Sequence, residues 1–168
     1  MLYRIIYIVL FACSPIISNA QSGLVLQEIS FIFEYKGVSG TIGDFHSTSE
    51  VNLEDLEDSY FEGSVSVSSL KTGNFLRDWA LKGRKYFNED EFPRIEFRST
   101  TVIRKDEGFL VEGQLSMKGN TTPLQIDFIR TEKGLTGKAV LYTSDYGISI
   151  KKDREENKVH IHLEFGLE

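Results

Sequence analysis

The stretch FLVEGQLSMKGNTTPLQIDF, residues 109–128, decides the fold class. Phe109, Val111, Gly113, Leu115 and Met117 alternate with Glu112, Gln114, Ser116 and Lys118. After Gly119-Asn120 the rhythm resumes, with Leu124, Ile126 and Phe128 set against Gln125 and Asp127. A period of two places one set of side chains on each face of a strand. Gly-Asn between two such runs is a hairpin signal, and Pro123 suits a strand start. The same pattern recurs outward in both directions. Ile29, Phe31, Phe33 and Tyr35 share one parity, with Ile32 the exception. Phe61, Gly63, Val65 and Val67 follow, with Val51 and Leu53 suggesting a short strand before them. Ile95 and Phe97 make another, and 138–144 another. The last places Val159, Ile161, Leu163 and Phe165 opposite His160, His162 and Glu164. About eight strands joined mostly by short turns predict an all-β, antiparallel sandwich or barrel.

One segment breaks this rhythm. LKTGNFLRDWALKGRKYFNEDEFPRIEFRS, residues 70–99, opens on a turn and holds the sole tryptophan. Asn74 can cap a short helix, and Leu76, Trp79 and Ala80 fall on one helical face. Gly83 weakens the helix beyond that point, and Lys82, Arg84 and Lys85 suit its C-terminal end. The reading is one short helical insertion near residues 74–87, forming a cap or side wall. Leu76, Trp79 and Phe87 would supply apolar surface there, and Arg77 and Asp78 would anchor it.

Residues 1–20 read as an export leader: Arg4, an apolar run from Ile5 to Ile17, and a small-residue site at Ser18-Asn19-Ala20. A leader acylated at Cys13 is the alternative. Cleavage near Ala20 leaves residues 21–168 as one domain without cysteine, hence without a disulfide or a thiol nucleophile. The expected location is the periplasm or the exterior. Export separates the chain from cytosolic nucleotides, which argues against ATP- or NAD-dependent chemistry. The formal net charge of -6 argues against nucleic acid and against electrostatic docking to anionic lipid heads.

Five motifs in order resemble the YceI-like (polyisoprenoid-binding) family. They are the Gly40 to Phe45 stretch, and Leu70 to Asn74 with Arg77-Asp78, Leu81 and Tyr86-Phe87. Phe92-Pro93-x-Ile95-x-Phe97-x-Ser99, Gly113-x-Leu115-x-Met117-Lys118-Gly119-Asn120-Thr121-x-Pro123 and Asp145-Tyr146-Gly147 complete them. The resemblance spans Leu26 to Phe165. It implies an extended, lipocalin-like barrel, exported, holding a long isoprenoid or quinone-like lipid in its interior for transport, storage or sequestration. It departs at Ala80, where the family usually has histidine, and near Ser144, where it usually has arginine. No cofactor is expected beyond such a lipid, and a homodimer stays open.

Periodicity alone leaves the interior either packed or hollow. The candidate apolar lining is Phe31, Phe33, Tyr35, Val65, Val67, Ile95, Phe97, Val111, Leu115, Phe128, Leu141, Ile161 and Leu163. Trp79 and Phe87 join it from the insertion. His160-x-His162 has metal-ligand spacing, with His46 or Glu164 as a third ligand, but it lies on the polar face and reads as a solvated pair. The acidic run at residues 54–58 lacks the glycine of a calcium loop and reads as a turn. Arg77-Asp78 and Asp145 read as structural locks. With no Gly-x-Ser-x-Gly elbow and no Cys/His pair, no nucleophile and base emerge, so binding rather than catalysis is expected. The competing readings are a packed barrel acting through its surface in the envelope, and a metal-dependent enzyme using His160 and His162.

Overall fold

The computed structural model describes residues 24–50, 52 and 58–167. The leader with Cys13, the strand expected at Val51 and Leu53 and most of the acidic run lie outside the described residues.

Among the described residues, nine strands form one antiparallel sheet. They are β1 (Leu24–Phe33), β2 (Val38–Ile42), β3 (His46–Ser47), β4 (Glu62–Ser66), β5 (Arg94–Lys105), β6 (Gly108–Met117), β7 (Asn120–Thr131), β8 (Gly134–Tyr142) and β9 (Lys158–Leu167). The order across the sheet is β2-β1-β9-β8-β7-β6-β5-β4-β3. Its two edges are therefore consecutive in sequence, joined only by Gly43-Asp44-Phe45. Three residues cannot span an opened sheet, so the sheet curls until its edges meet. Thr41 and Lys71 exchange two backbone hydrogen bonds of 2.8 and 2.9 Å, and Ser66 N–H donates to Gly43 O at 3.1 Å. The strand β2–β3 is in effect one bent strand serving both edges, which reconciles nine segments with the roughly eight expected.

Pairing follows the hydrophobic parity. Phe109, Val111, Gly113, Leu115 and Met117 are all buried, and the intervening residues of β6 are not. The β6–β7 turn is Lys118-Gly119, both with positive φ (50° and 73°), which is the backbone a two-residue hairpin requires. The expected Gly-Asn turn thus sits one residue earlier, and Asn120 is already in the strand. Its side chain instead donates to the carbonyls of Lys118 and Tyr146.

The one α-helix among the described residues, α1, spans Phe75–Lys82, with Asn74 capping it by accepting from Arg77 N–H at 3.0 Å. The chain then turns under its C-terminal end, where Phe87 N–H donates to Leu81 O and Glu89 N–H to Lys82 O. The helix sits at the end of the barrel where β1 turns into β2, β6 into β7, and β8 leads to β9. Lys118 marks that end by donating Nζ to the carbonyls of Lys85 and Gly147. The 143–150 connection packs inward there: Tyr146 and Ile148 are fully buried. Burial raises the Tyr146 hydroxyl above its ordinary pKa, and Thr122 donates to its oxygen at 2.6 Å.

Candidate functional site: the barrel lumen

The inward faces of the strands do not fill the barrel. They enclose a cavity of about 1630 Å³ whose wall is mostly aliphatic and aromatic. That exceeds the few hundred to roughly 1000 Å³ of ordinary small-molecule pockets. The reason lies in cross-strand pairing of large and absent side chains. Phe31 lies over Gly40, Phe45 over Gly63, Phe97 over Gly113 and Phe128 over Gly137. A Cβ built at any of these glycines would stand 2.4 to 2.7 Å from the ring. Each ring thus lies flat along the wall in space that a side chain would otherwise take, and the centre stays open.

Away from α1 the lumen ends against an aromatic stack. Phe61, Phe109 and Phe128 have centroids 5.1 to 5.7 Å apart, and Phe165 meets Phe128 at 6.0 Å. Ser47, Glu50 and Asp58 give the wall a polar rim toward this end. Toward α1 the rim carries Lys36, Thr72 and Arg77 instead. Arg77 is held in place by Thr72, with Nε donating to Oγ1 at 2.7 Å and Nη2 to the carbonyl at 2.8 Å. Asp78 accepts from the Thr72 N–H at 2.8 Å and from its hydroxyl. Thr72 is thus the hub of the lock. Arg77 and Asp78 both lock α1 onto the Thr72 loop, the anchoring role expected of the pair.

Of the residues expected to line the interior, Phe31, Phe33, Val65, Ile95, Phe97, Leu115, Phe128, Leu141, Ile161 and Leu163 stand on the cavity wall, as does Phe87. Four stand elsewhere. Tyr35 falls in a 3-10 turn, Glu34–Lys36, where the strand's alternation has ended. Its ring faces outward and takes the Lys151 ammonium 3.9 Å above its centroid. Val67 begins another 3-10 turn and is buried off the wall. Val111 is fully buried in the packed part of the core beside Phe109. Trp79 is 73% exposed: the stripe it shares with Leu76 faces solvent, Arg77 and Leu81 face the lumen, and Ala80, expected on the same face as Trp79, is exposed at the edge of the cavity wall. The wall also holds Phe45, Tyr86 and Ile148, which no strand alternation marks.

The outer face carries the histidines. His160 Nε2 lies 2.6 Å from Glu34 Oε2, and His162 Nε2 lies 3.2 Å from Glu164 Oε1. The hydrogen bond to His160 is the main reason the Glu34 carboxyl sits below its ordinary value of 4.5. His46 is engaged by Arg94 Nη2 at 2.8 Å. Among the described residues, no three His, Cys, Asp or Glu side chains converge as a metal site would require. Asp145 forms a bidentate pair with Arg154, whose guanidinium stacks on Tyr142.

A hollow antiparallel barrel with an apolar lumen and one capping helix matches the model of the YceI-like domain over residues 18–167. The chain belongs to the YceI-like family. A UPF0312 protein of Photorhabdus laumondii is 28% identical over 106 residues, which cover 63% of this chain and 53% of that protein. The chain spans about half the length of the curated relatives it matches. Burkholderia cenocepacia BcnA superposes with a TM-score of 0.68 at 15% identity, covering 82% of this chain and 94% of its own. A polyisoprenoid binding domain from Saccharophagus degradans, implicated in plant cell wall breakdown, superposes with a TM-score of 0.53 at 10% identity, covering 88% and 98%. These likenesses establish the lipocalin-like barrel. Among the described residues no helix is long and apolar enough to cross a membrane.

Proposed function

We propose that the protein is an exported, non-enzymatic carrier that holds a long isoprenoid or quinone-like lipid inside the barrel. The observation that carries this reading is the open, apolar lumen of about 1630 Å³. At the density with which a benzene-sized cavity holds its ligand, about 25 Å³ per carbon, a lumen of about 1630 Å³ has room for roughly 65 carbon atoms. Each buried methylene-sized group is worth about 0.8 kcal/mol, so such a ligand needs little polar chemistry to bind tightly. Family membership supports the reading, as does a structural relative described as polyisoprenoid-binding. The polar head of the lipid belongs at the α1 end, where Lys36 and Arg77 stand on the rim and would favour an anionic or carbonyl-bearing group. Expected export of residues 21–168 to the periplasm or exterior places the carrier where a water-insoluble lipid needs an escort.

The test is uptake of prenyl lipids by the wild type and by Phe97→Asp. The variant sets a charge on the lumen wall, where burial without a partner is costly. It should abolish uptake, while His162→Ala, on the outer face, should leave uptake unchanged. Uptake lost in His162→Ala and kept in Phe97→Asp would overturn the assignment of the lumen.

A further inference from the structure

Three of the most exposed large apolar side chains among the described residues sit on one helix. Phe75 is 80% exposed, and Leu76 and Trp79 are each 73% exposed. Leu76 and Trp79 are one turn apart on the same side of α1, with Phe75 beside them at its start. The other side of the helix contributes Arg77 and Leu81 to the cavity wall, with exposed Ala80 at the edge between the two faces. One eight-residue helix thus has the lumen behind it and three bare apolar side chains in front.

The size of this patch bears on what covers it. From ordinary side-chain sizes its bare surface is on the order of 450 Å². That falls well short of the roughly 800 Å² that each partner contributes to a stable protein pair. Three inserted side chains flanked by basic residues are, however, the pattern of an interfacial membrane anchor. Lys71, Lys82, Arg84 and Lys85 supply the flanks, and Lys71, Arg84 and Lys85 are exposed. The single acid among them, Asp78, is turned onto Thr72. This is a local reversal in a chain whose formal net charge is -6. Glu89, Asp90 and Glu91 follow in the next turn and keep the attraction modest, leaving the apolar face as the main anchor. The described chain begins at the far end of the barrel, because β1 runs ten residues from Leu24 to reach the α1 end.

We infer that α1 docks on the surface of a lipid bilayer containing anionic lipid. Phe75, Leu76 and Trp79 enter the head-group region, and the helix holds the mouth of the lumen against the membrane. This rests on the lipid-holding reading above. A long apolar ligand that left the bilayer through water would expose every methylene on the way, so transfer in contact avoids that barrier.

Trp79 is the only tryptophan in the chain, so its emission reports on this helix alone. The protein is titrated with vesicles of phosphatidylcholine, and of phosphatidylcholine mixed with phosphatidylglycerol. Docking predicts a blue shift and protection from an aqueous quencher, stronger on the mixed vesicles. Phe75→Ser/Leu76→Ser, which keeps the reporter, should weaken partitioning at least tenfold. Lys71→Ser/Arg84→Ser/Lys85→Ser should weaken it by less, roughly fivefold in all on the mixed vesicles, and leave it unchanged on phosphatidylcholine. Emission that ignores both vesicles overturns the inference. So does a shift that grows with protein concentration alone, which would mean a second copy covers the helix. Emission already blue and protected at every dilution overturns it too, because the chain itself would then cover the patch. Uptake of a fluorescent prenyl probe delivered from ethanol is measured in parallel. Uptake without vesicle binding sinks the docking and leaves the carrier reading standing; vesicle binding without uptake does the reverse.

Discussion

Ala139 offers the sharpest control over what the lumen accepts. It is buried on β8 and stands on the cavity wall, so a larger side chain there grows into open space rather than into packed neighbours. Ala139→Phe adds a benzene-sized ring, and a cavity that takes benzene measures about 150 Å³. Taken from a lumen of about 1630 Å³, that removes room for roughly six carbons, close to one five-carbon isoprene unit. A ligand that fills the wild-type lumen would have to leave about five carbons in water. At about 0.8 kcal/mol each this costs about 4 kcal/mol, or close to a thousandfold in Kd. A ligand one unit shorter should bind the variant and the wild type alike. The assay is competition binding across a series of prenyl chains differing by one unit, with thermal unfolding as a check on the fold. Ala139→Leu, which adds fewer carbons, should give an intermediate shift in length preference. A folded Phe variant that keeps the wild-type length preference, or loses all chain lengths equally, would show that lumen volume does not set the length the protein accepts.

Other perturbations address the frame around the lumen. Asp78→Ala leaves the buried Thr72 N–H and hydroxyl without their acceptor, and should cost about 1–3 kcal/mol in denaturant unfolding. Asp78→Asn, which keeps an acceptor, should recover most of that. Thr143→Val should be neutral or slightly stabilising in the same assay, because the Thr143 hydroxyl is buried with no hydrogen-bond partner among the described residues. Glu34, hydrogen-bonded by His160, has a folded pKa below its ordinary 4.5. A depressed carboxylate contributes stability above the unfolded pKa and loses it as pH falls through the folded one. Glu34→Gln should therefore lose stability at neutral pH and flatten the decline below about pH 4.5. A variant with an unchanged acid profile would show that the His160 contact contributes nothing.

Much of this architecture is readable from parity alone. The 109–128 hairpin gives strand type, antiparallel pairing and the identity of the core face, because a one-residue slip would expose every buried side chain. Parity fails where strands end. Tyr35 and Val67 carry the right residue type in the right step, but 3-10 turns break the alternation there. Trp79 fails for another reason. Spacing shows that Leu76 and Trp79 share a face of α1 but not which way that face points, and the Thr72–Arg77–Asp78 lock turns it outward. Periodicity leaves hollowness open, yet a signal for it is present. Gly63, Gly113 and Gly137 occupy inward steps of otherwise large-residue strands, and each makes room for a neighbouring ring. Recognising them requires the cross-strand register, which no single strand contains. Phe45 and Ile148 reach the wall from bends and turns, where neither period applies.

The most direct measurement is lipid mass spectrometry on the protein purified from its own host without detergent. A carrier with this lumen should bring with it close to one long-chain prenyl lipid per molecule, and Phe97→Asp prepared in the same way should bring none. A ligand-free wild type that also takes up no prenyl lipid when offered it would contradict the account.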